Sequence, residues 1–137
     1  GIITGAIASD YQWDRINHIC EDLNLKVFSP LWRKNPLVVM ENMIESGVRS
    51  VIATVAAEGL NEKWLGRELD HKTLEDLKIL NKKYKVSVSG EGGEYESLTL
   101  DSPLHKKSME IKSFEVIESR DNSRMHVKEV ALIDKQK

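Results

Sequence analysis

From Arg49 to Ala57 the chain reads Arg-Ser-Val-Ile-Ala-Thr-Val-Ala-Ala, an almost unbroken run of apolar and small side chains. A strand with one face in water alternates polar and apolar positions. A run without that alternation needs cover on both faces, the pattern of a strand inside a parallel sheet flanked by helices. What precedes the run fits that class. Ser9 stands three residues before Gln12, the capping-box spacing, and Trp13, Ile16, Cys20 and Leu23 then recur at helical intervals. Leu25 to Phe28 is a short strand candidate. Ser29-Pro30-Leu31-Trp32 leaves it as a loop, because proline cannot donate to a strand ladder. Asn35-Pro36 sets a cap residue before a proline suited to the first helical position, with Leu37, Met40 and Ile44 on one face and Gly47 as the stop.

Beyond Ala57 the pattern changes. Asn61 to Asp70, with Trp64 and Gly66, reads as a short helix or lid-like loop. His71 to Tyr84 follows as an amphipathic helix with Leu74, Leu77 and Leu80 inward and lysines near its C-terminus, where they suit the helix dipole. Ser97 to Leu100, Met109 to Ile117 and Met125 to Leu132 alternate as strands, the last two joined by a hairpin-like Ser119-Arg120-Asp121-Asn122-Ser123. The expected fold class is α/β: a short parallel α/β portion continuing a Rossmann-like sheet, then a mainly antiparallel α+β portion. The expected divisions are 1–57 for the alternating strands and helices, 58–95 for a helix and glycine-rich loop, and 96–137 for antiparallel strands.

A length of 137 residues suits one domain with its own core, and 40% hydrophobic with 31% charged residues is a globular balance. The net charge of -2 supplies no field that would draw the chain onto nucleic acid, and no direct nucleic-acid binding is expected. One cysteine, Cys20, excludes an internal disulfide and fits a reducing, cytoplasmic setting. No apolar run approaches the ~20 residues that span a bilayer, so no membrane partner is expected. Gly1 to Ala8 reads as a buried strand already under way, with neither Met nor a leader, and the expectation is of an excised domain.

The chemistry concentrates in Gly90-Glu91-Gly92-Gly93-Glu94-Tyr95-Glu96-Ser97. Glycine allows positive φ and close approach, so Gly90, Gly92 and Gly93 could present bare N–H groups to an anion or make room for a bulky group. If a strand begins at Glu94, Glu94 and Glu96 share a face and suit a cation or a hard metal ion. A flexible loop with solvated glutamates is the plainer alternative. No Gly-Lys-Ser/Thr follows, and the glycine spacing fits no dinucleotide fingerprint.

Gly90 to Ser97, continued by Leu98-Thr99-Leu100-Asp101-Ser102-Pro103-Leu104, is similar to the glutamate-rich signature of the diphthine-ammonia ligases, members of the N-type ATP pyrophosphatase superfamily. Gly5 to Gln12 with Arg15, Cys20 and Pro30-Leu31-Trp32 resembles a second block of that family, and Trp64-Leu65-Gly66-Arg67 a third. The resemblance implies the substrate-facing, C-terminal half of an enzyme that amidates diphthine on elongation factor 2. The diphthine carboxylate is activated with ATP as an acyl-adenylate and attacked by ammonia, releasing AMP and pyrophosphate. The family's pyrophosphate loop, Ser-Gly-Gly-x-Asp-Ser, is absent from this sequence, so ATP, with Mg2+, is expected to be held mainly by a part that this chain lacks, and this chain alone is expected to be inactive. No metal ligands are assigned here.

On that resemblance Gly90 to Ser97 form the substrate-binding stretch, with Glu94 and Glu96 as the catalytic candidates. Carboxylates beside Tyr95 suit the trimethylammonium of diphthine, and one glutamate could instead orient ammonia or take its proton. Ser9, Asp10, Tyr11, Gln12 and Arg15 are the cofactor-binding candidates, placed where a strand hands over to a helix N-terminus. Capping of that helix is the structural alternative for Ser9 and Gln12, and a surface ion pair for Arg15. Trp32 and Trp64 could line a groove or pack. Cys20 reads as a small buried hydrophobe, and Lys82, Lys83 and Lys85 as a solvated helix end, with contact to the protein substrate or its associated RNA as the alternative. Two other functions stay open: the same ATP chemistry on another acceptor, and a non-catalytic binding or assembly domain whose strand edges allow a homo-oligomer.

Overall fold

The computed structural model describes residues 1–135, and the last two residues of the expected 96–137 portion lie outside the described residues. The elements are β1 (Ile2–Ile3), α1 (Asp10–Asp22), β2 (Val27–Phe28), α2 (Pro36–Glu45), β3 (Arg49–Val55), a 3-10 turn at Glu62–Trp64, α3 (His71–Tyr84), β4 (Tyr95–Asp101), β5 (Lys107–Glu118) and β6 (Ser123–Asp134). Strand and helix alternate through β3 as expected. β1 and β2 form a two-stranded parallel sheet, Ile2 opposite Val27 and Ile3 opposite Phe28. The larger sheet runs β4-β3-β6-β5 and is antiparallel throughout.

The run at Arg49–Ala57 therefore builds an antiparallel strand, not the parallel one its pattern suggested. The pattern reports cover on both faces, and β3 has it. Ile52 and Val55 enter a core with Met40 of α2, Leu74 and Leu77 of α3, Trp64 and Tyr95. Val51, on the opposite face, packs with Leu100 of β4 and Met125 of β6, flanked by Ala53, Met109 and Ile111. A register shift between Ile52 and Thr54 keeps Ile52 and Val55 on one side despite their odd spacing. Parallel strands are not the only ones that two layers can enclose.

Local chemistry sets the helix ends. The Asn35 side chain accepts from the Leu37 N–H at 2.9 Å with Pro36 beside it, and α2 gives way to Gly47 at φ 81°. Asp70 caps α3 by accepting from the Thr73 N–H at 2.7 Å, and Lys85 closes that helix in the left-handed region at φ 64°. Ser9 caps α1 through Gln12 N–H. Of the α1 stripe, Cys20 is buried and Leu23 is 64% exposed, so α1 is the least enclosed helix face.

The β5–β6 hairpin is two-faced. Met109 opposite Leu132, Ile111 opposite Val130, Phe114 opposite Val127 and Val116 opposite Met125 give one apolar side. Lys112 pairs with Glu110 and Lys128 with Glu115 outside that ladder.

The Asp70 cap is testable. The Thr73 N–H bond holds the Asp70 carboxyl below its ordinary value, so its stabilisation is present above the unfolded carboxylate value and is lost as pH falls through the depressed one. Asp70→Ala should lower unfolding free energy by about 1 kcal/mol at neutral pH. In urea titrations the two proteins should converge as the medium is made strongly acidic.

Candidate functional site

Between α3 and β4 the chain turns back on itself, and one side chain organises the turn. Glu94 Oε1 accepts from the Ser87 N–H and Oε2 from the Gly92 N–H, both at 2.9 Å. Gly93 N–H donates to Gly90 O at 2.9 Å, and Gly90 N–H to Ser87 O at 3.2 Å. The glycine N–H groups are thus engaged within the loop, and the reading of them as bare donors for an anion is overturned. Gly90 has φ 71°, and a Cβ there would stand 2.7 Å from the Tyr95 carbonyl oxygen. A Cβ on Gly92 would stand 2.7 Å from Glu94 Oε1, whereas Gly93, at φ 81°, has open space beside it.

Glu94 and Glu96 do not share a face. β4 starts at Tyr95, so Glu94 lies ahead of the ladder and folds back onto the loop's donors, while its own carbonyl accepts from Ala56 N–H at 2.8 Å. Glu96 is exposed on β4, where its carboxylate accepts from the Thr54 hydroxyl at 3.3 Å. Ser97, also exposed, lies opposite Ile52. Tyr95 is in the core, 5% exposed, its hydroxyl donating to Val88 O at 2.7 Å. Burial pushes that phenol's pKa well above its ordinary value and keeps it protonated as a donor. Its ring is turned into the core, and the Glu94 carboxylate, bonded to the residue next to Val88, adds to that rise.

The loop and the α1 rim meet. Glu91 Oε2 accepts from the Ala8 N–H at 3.5 Å, a long contact that joins the glycine stretch to the residue before the Ser9 cap. At the rim, Asp10 pairs with Arg33 at 2.7 Å, and Arg15 donates to the Tyr11 hydroxyl at 2.7 Å with Tyr11 70% exposed. Gln12 gives its N–H to Ser9. Trp32 stacks on Trp13 with ring centroids 4.4 Å apart and carries the Arg33 guanidinium 5.0 Å from its ring centre, and Trp64 is in the core. Both tryptophans pack.

A polar cavity of about 340 Å³ lies at the same end of the sheet, lined by Ala56, Glu58, Arg120, Asp121 and Asn122 among others. Ala56 is bonded to Glu94, and Arg124 stands opposite Thr54, the partner of Glu96. The tip of the β5–β6 hairpin is therefore a neighbour of the signature stretch, which the sequence reading passed over. Nothing local marks Arg120 to Asn122 as site residues; only the pairing of β6 with β3 brings them there. Among the described residues no group of three or more His, Cys, Asp or Glu is placed to hold a metal ion, and no helix is long and apolar enough to cross a membrane.

Helices α2 and α3 packed on one face of a four-stranded antiparallel sheet, with an acidic glycine turn leading into its edge strand β4, define a mixed α/β domain. The sequence pattern of the diphthamide synthase C-terminal domain matches residues 35–133, and the chain belongs to that family. Diphthine–ammonia ligases are similar to it: 47% identity over 118 residues for that of Bos taurus and 47% over 119 for that of Homo sapiens, each covering 85% of this chain and 44% of the relative. The Schizosaccharomyces pombe ligase is 39% identical over 132 residues, 96% of this chain and 22% of its own length. The chain thus spans less than half the length of these relatives.

The two left-handed glycines should differ. Gly90→Ala meets a carbonyl oxygen as well as an unfavourable φ, and Gly93→Ala only the latter. Gly93→Ala should cost about 1 to 2 kcal/mol, with Gly90→Ala costing more, as urea denaturation of the pair would reveal.

Proposed function

We propose that this chain forms the acceptor side of an ATP-dependent, AMP-forming ligase that amidates diphthine on elongation factor 2 in the cytoplasm. The observation that carries the reading is the meeting of the glutamate-rich stretch with the α1 rim through Glu91 and the Ala8 N–H. It gives one site two chemically different borders. The kinship with ligases that carry this name supports the reaction class.

The loop's N–H donors are engaged by Glu94 and by loop carbonyls, and its side chains are acidic, so these residues do not fit a triphosphate. The grip on ATP and Mg2+ belongs, in this proposal, to the greater part of the relatives' length that this chain does not span. Tyr11 and Arg15, exposed on the first turns of α1, would flank the adenylate. The Glu96 carboxylate, exposed and, among the described residues, held by one hydroxyl, would face the trimethylammonium of diphthine, with Glu91 as the second charge. Glu94 would act one step back, by holding the turn in shape. Amide formation joins the ammonia nitrogen to the activated carbonyl carbon as AMP leaves and a proton is lost. A carboxylate near the acceptor can also receive that proton.

Full-length enzyme, given diphthine-bearing elongation factor 2, ATP and ammonium, separates these roles by the rate of AMP release. Glu96→Gln should raise KM for the protein substrate by about tenfold while leaving kcat nearly unchanged, as expected for lost ground-state binding. A fall in kcat of about 100-fold would move Glu96 to proton transfer. No change in either constant would refute a role at the acceptor.

A further inference from the structure

A second concavity lies away from the sheet edge, between the start of α2 and the C-terminal half of α3. It encloses about 610 Å³ and is lined by Asn35, Leu37, Ile79, Lys82, Lys85 and Val88 among others. Its charge is one-sided. Lys78 and Glu75 also line it, and they pair with each other at 2.7 Å, with Glu41 3.5 Å from the same ammonium. Lys82 and Lys85 make no ion pair among the described residues. Lysines at the end of a helix are ordinarily explained by its dipole. That accounts for Lys82, but not for Ile79, an apolar side chain left 62% exposed in the same groove, nor for the apolar floor of Leu37 and Val88.

We propose that this groove docks an acidic peptide segment of a protein partner, an apolar side chain of which seats against Ile79, Leu37 and Val88 while its carboxylates meet Lys82 and Lys85. Charge complementarity and the apolar floor together select this occupant. A nucleic-acid strand would be matched by arginine forks and by aromatic faces on which bases stack, and the lining residues include neither. The Asn35 amide nitrogen and the Asn81 amide oxygen, whose other ends cap α2 and hold Val86 O, remain to meet an extended main chain. The groove also touches the signature turn from behind, since Ser87 donates to Glu94 and Val88 accepts from Tyr95. A segment bound there would lie against the loop's scaffold without entering its carboxylate face. The inference holds whatever reaction the site performs.

Full-length enzyme would be titrated, by fluorescence anisotropy, with a labelled peptide of about eight residues alternating leucine and glutamate, with its glutamine counterpart, and with a single-stranded RNA of equal charge. The acidic peptide should bind, weaken by about tenfold in Lys82→Glu/Lys85→Glu as paired charges are reversed, and weaken again as salt shortens the screening length. Ile79→Ser should weaken it too, and AMP release without peptide should be unchanged in all variants. Equal binding of the glutamine peptide, indifference to the charge reversal, or tighter binding of the RNA would each overturn the proposal.

Discussion

The enclosure of β3 on both faces is the constraint on which the rest of the molecule hangs. Ile52 is fully buried against α2 and α3, and Val51, one residue earlier, is buried on the other side beneath Leu100 and Met125. A strand clad in this way cannot shift register by one residue without exchanging one core for the other. Everything hydrogen-bonded to it inherits that fixity. β4 lies along its whole length, and β6 pairs with Thr54 and Val55. The first half of β3 bonds instead to Gly66–Leu69: Gly66 N–H donates to Ile52 O, and Leu69 N–H to Ser50 O.

That strand ends beside the exit of the acidic turn, which is how a glycine-rich composition acquires a defined shape. The ladder passes from Val55 opposite Tyr95 to the Ala56 N–H on the Glu94 carbonyl, so the turn is fastened at its exit. Tyr95 fastens it below through Val88, and Glu94 closes it from within. A glycine-rich segment carries a high entropic cost of ordering, and here three independent tethers offset it. Backbone donors that a glycine loop often offers to phosphate are satisfied by the Glu94 carboxylate and by loop carbonyls, which leaves the acidic side chains at positions 91 and 96 as its outward chemistry.

Much of this was legible in the sequence because it is local. Asn35-Pro36 marked the start of α2, and the leucine spacing with a lysine-rich end marked α3 over His71–Tyr84. The hairpin followed from two alternating runs around Ser119–Ser123. What stayed hidden was non-local. The apolar run of β3 reports burial but not the direction of neighbouring strands, and β4 and β6 lie far along the chain. Glu94 and Glu96 were placed on one face by strand periodicity, which assumes that the ladder has already begun. Two N–H groups within reach of Glu94 offered its carboxylate charge-assisted bonds, and the ladder began one residue later. Arg120 and Asp121 carry no local signal of their own; their place beside the acidic turn is a product of sheet order.

Gly92 and Glu94 are in effect one unit. A methyl group at position 92 would occupy the space that the Glu94 carboxylate takes when it accepts the Gly92 N–H. The two positions are coupled: a side chain at 92 would push the end of the flexible Glu94 side chain aside, and with that carboxylate displaced the Ser87 and Gly92 donors return to water. The two sites thus form an epistatic pair, in which the tolerance of one is written in the identity of the other. Gly93, with open space beside it, carries no such dependence on a neighbour's side chain, so adjacent glycines in one turn answer to different rules of substitution.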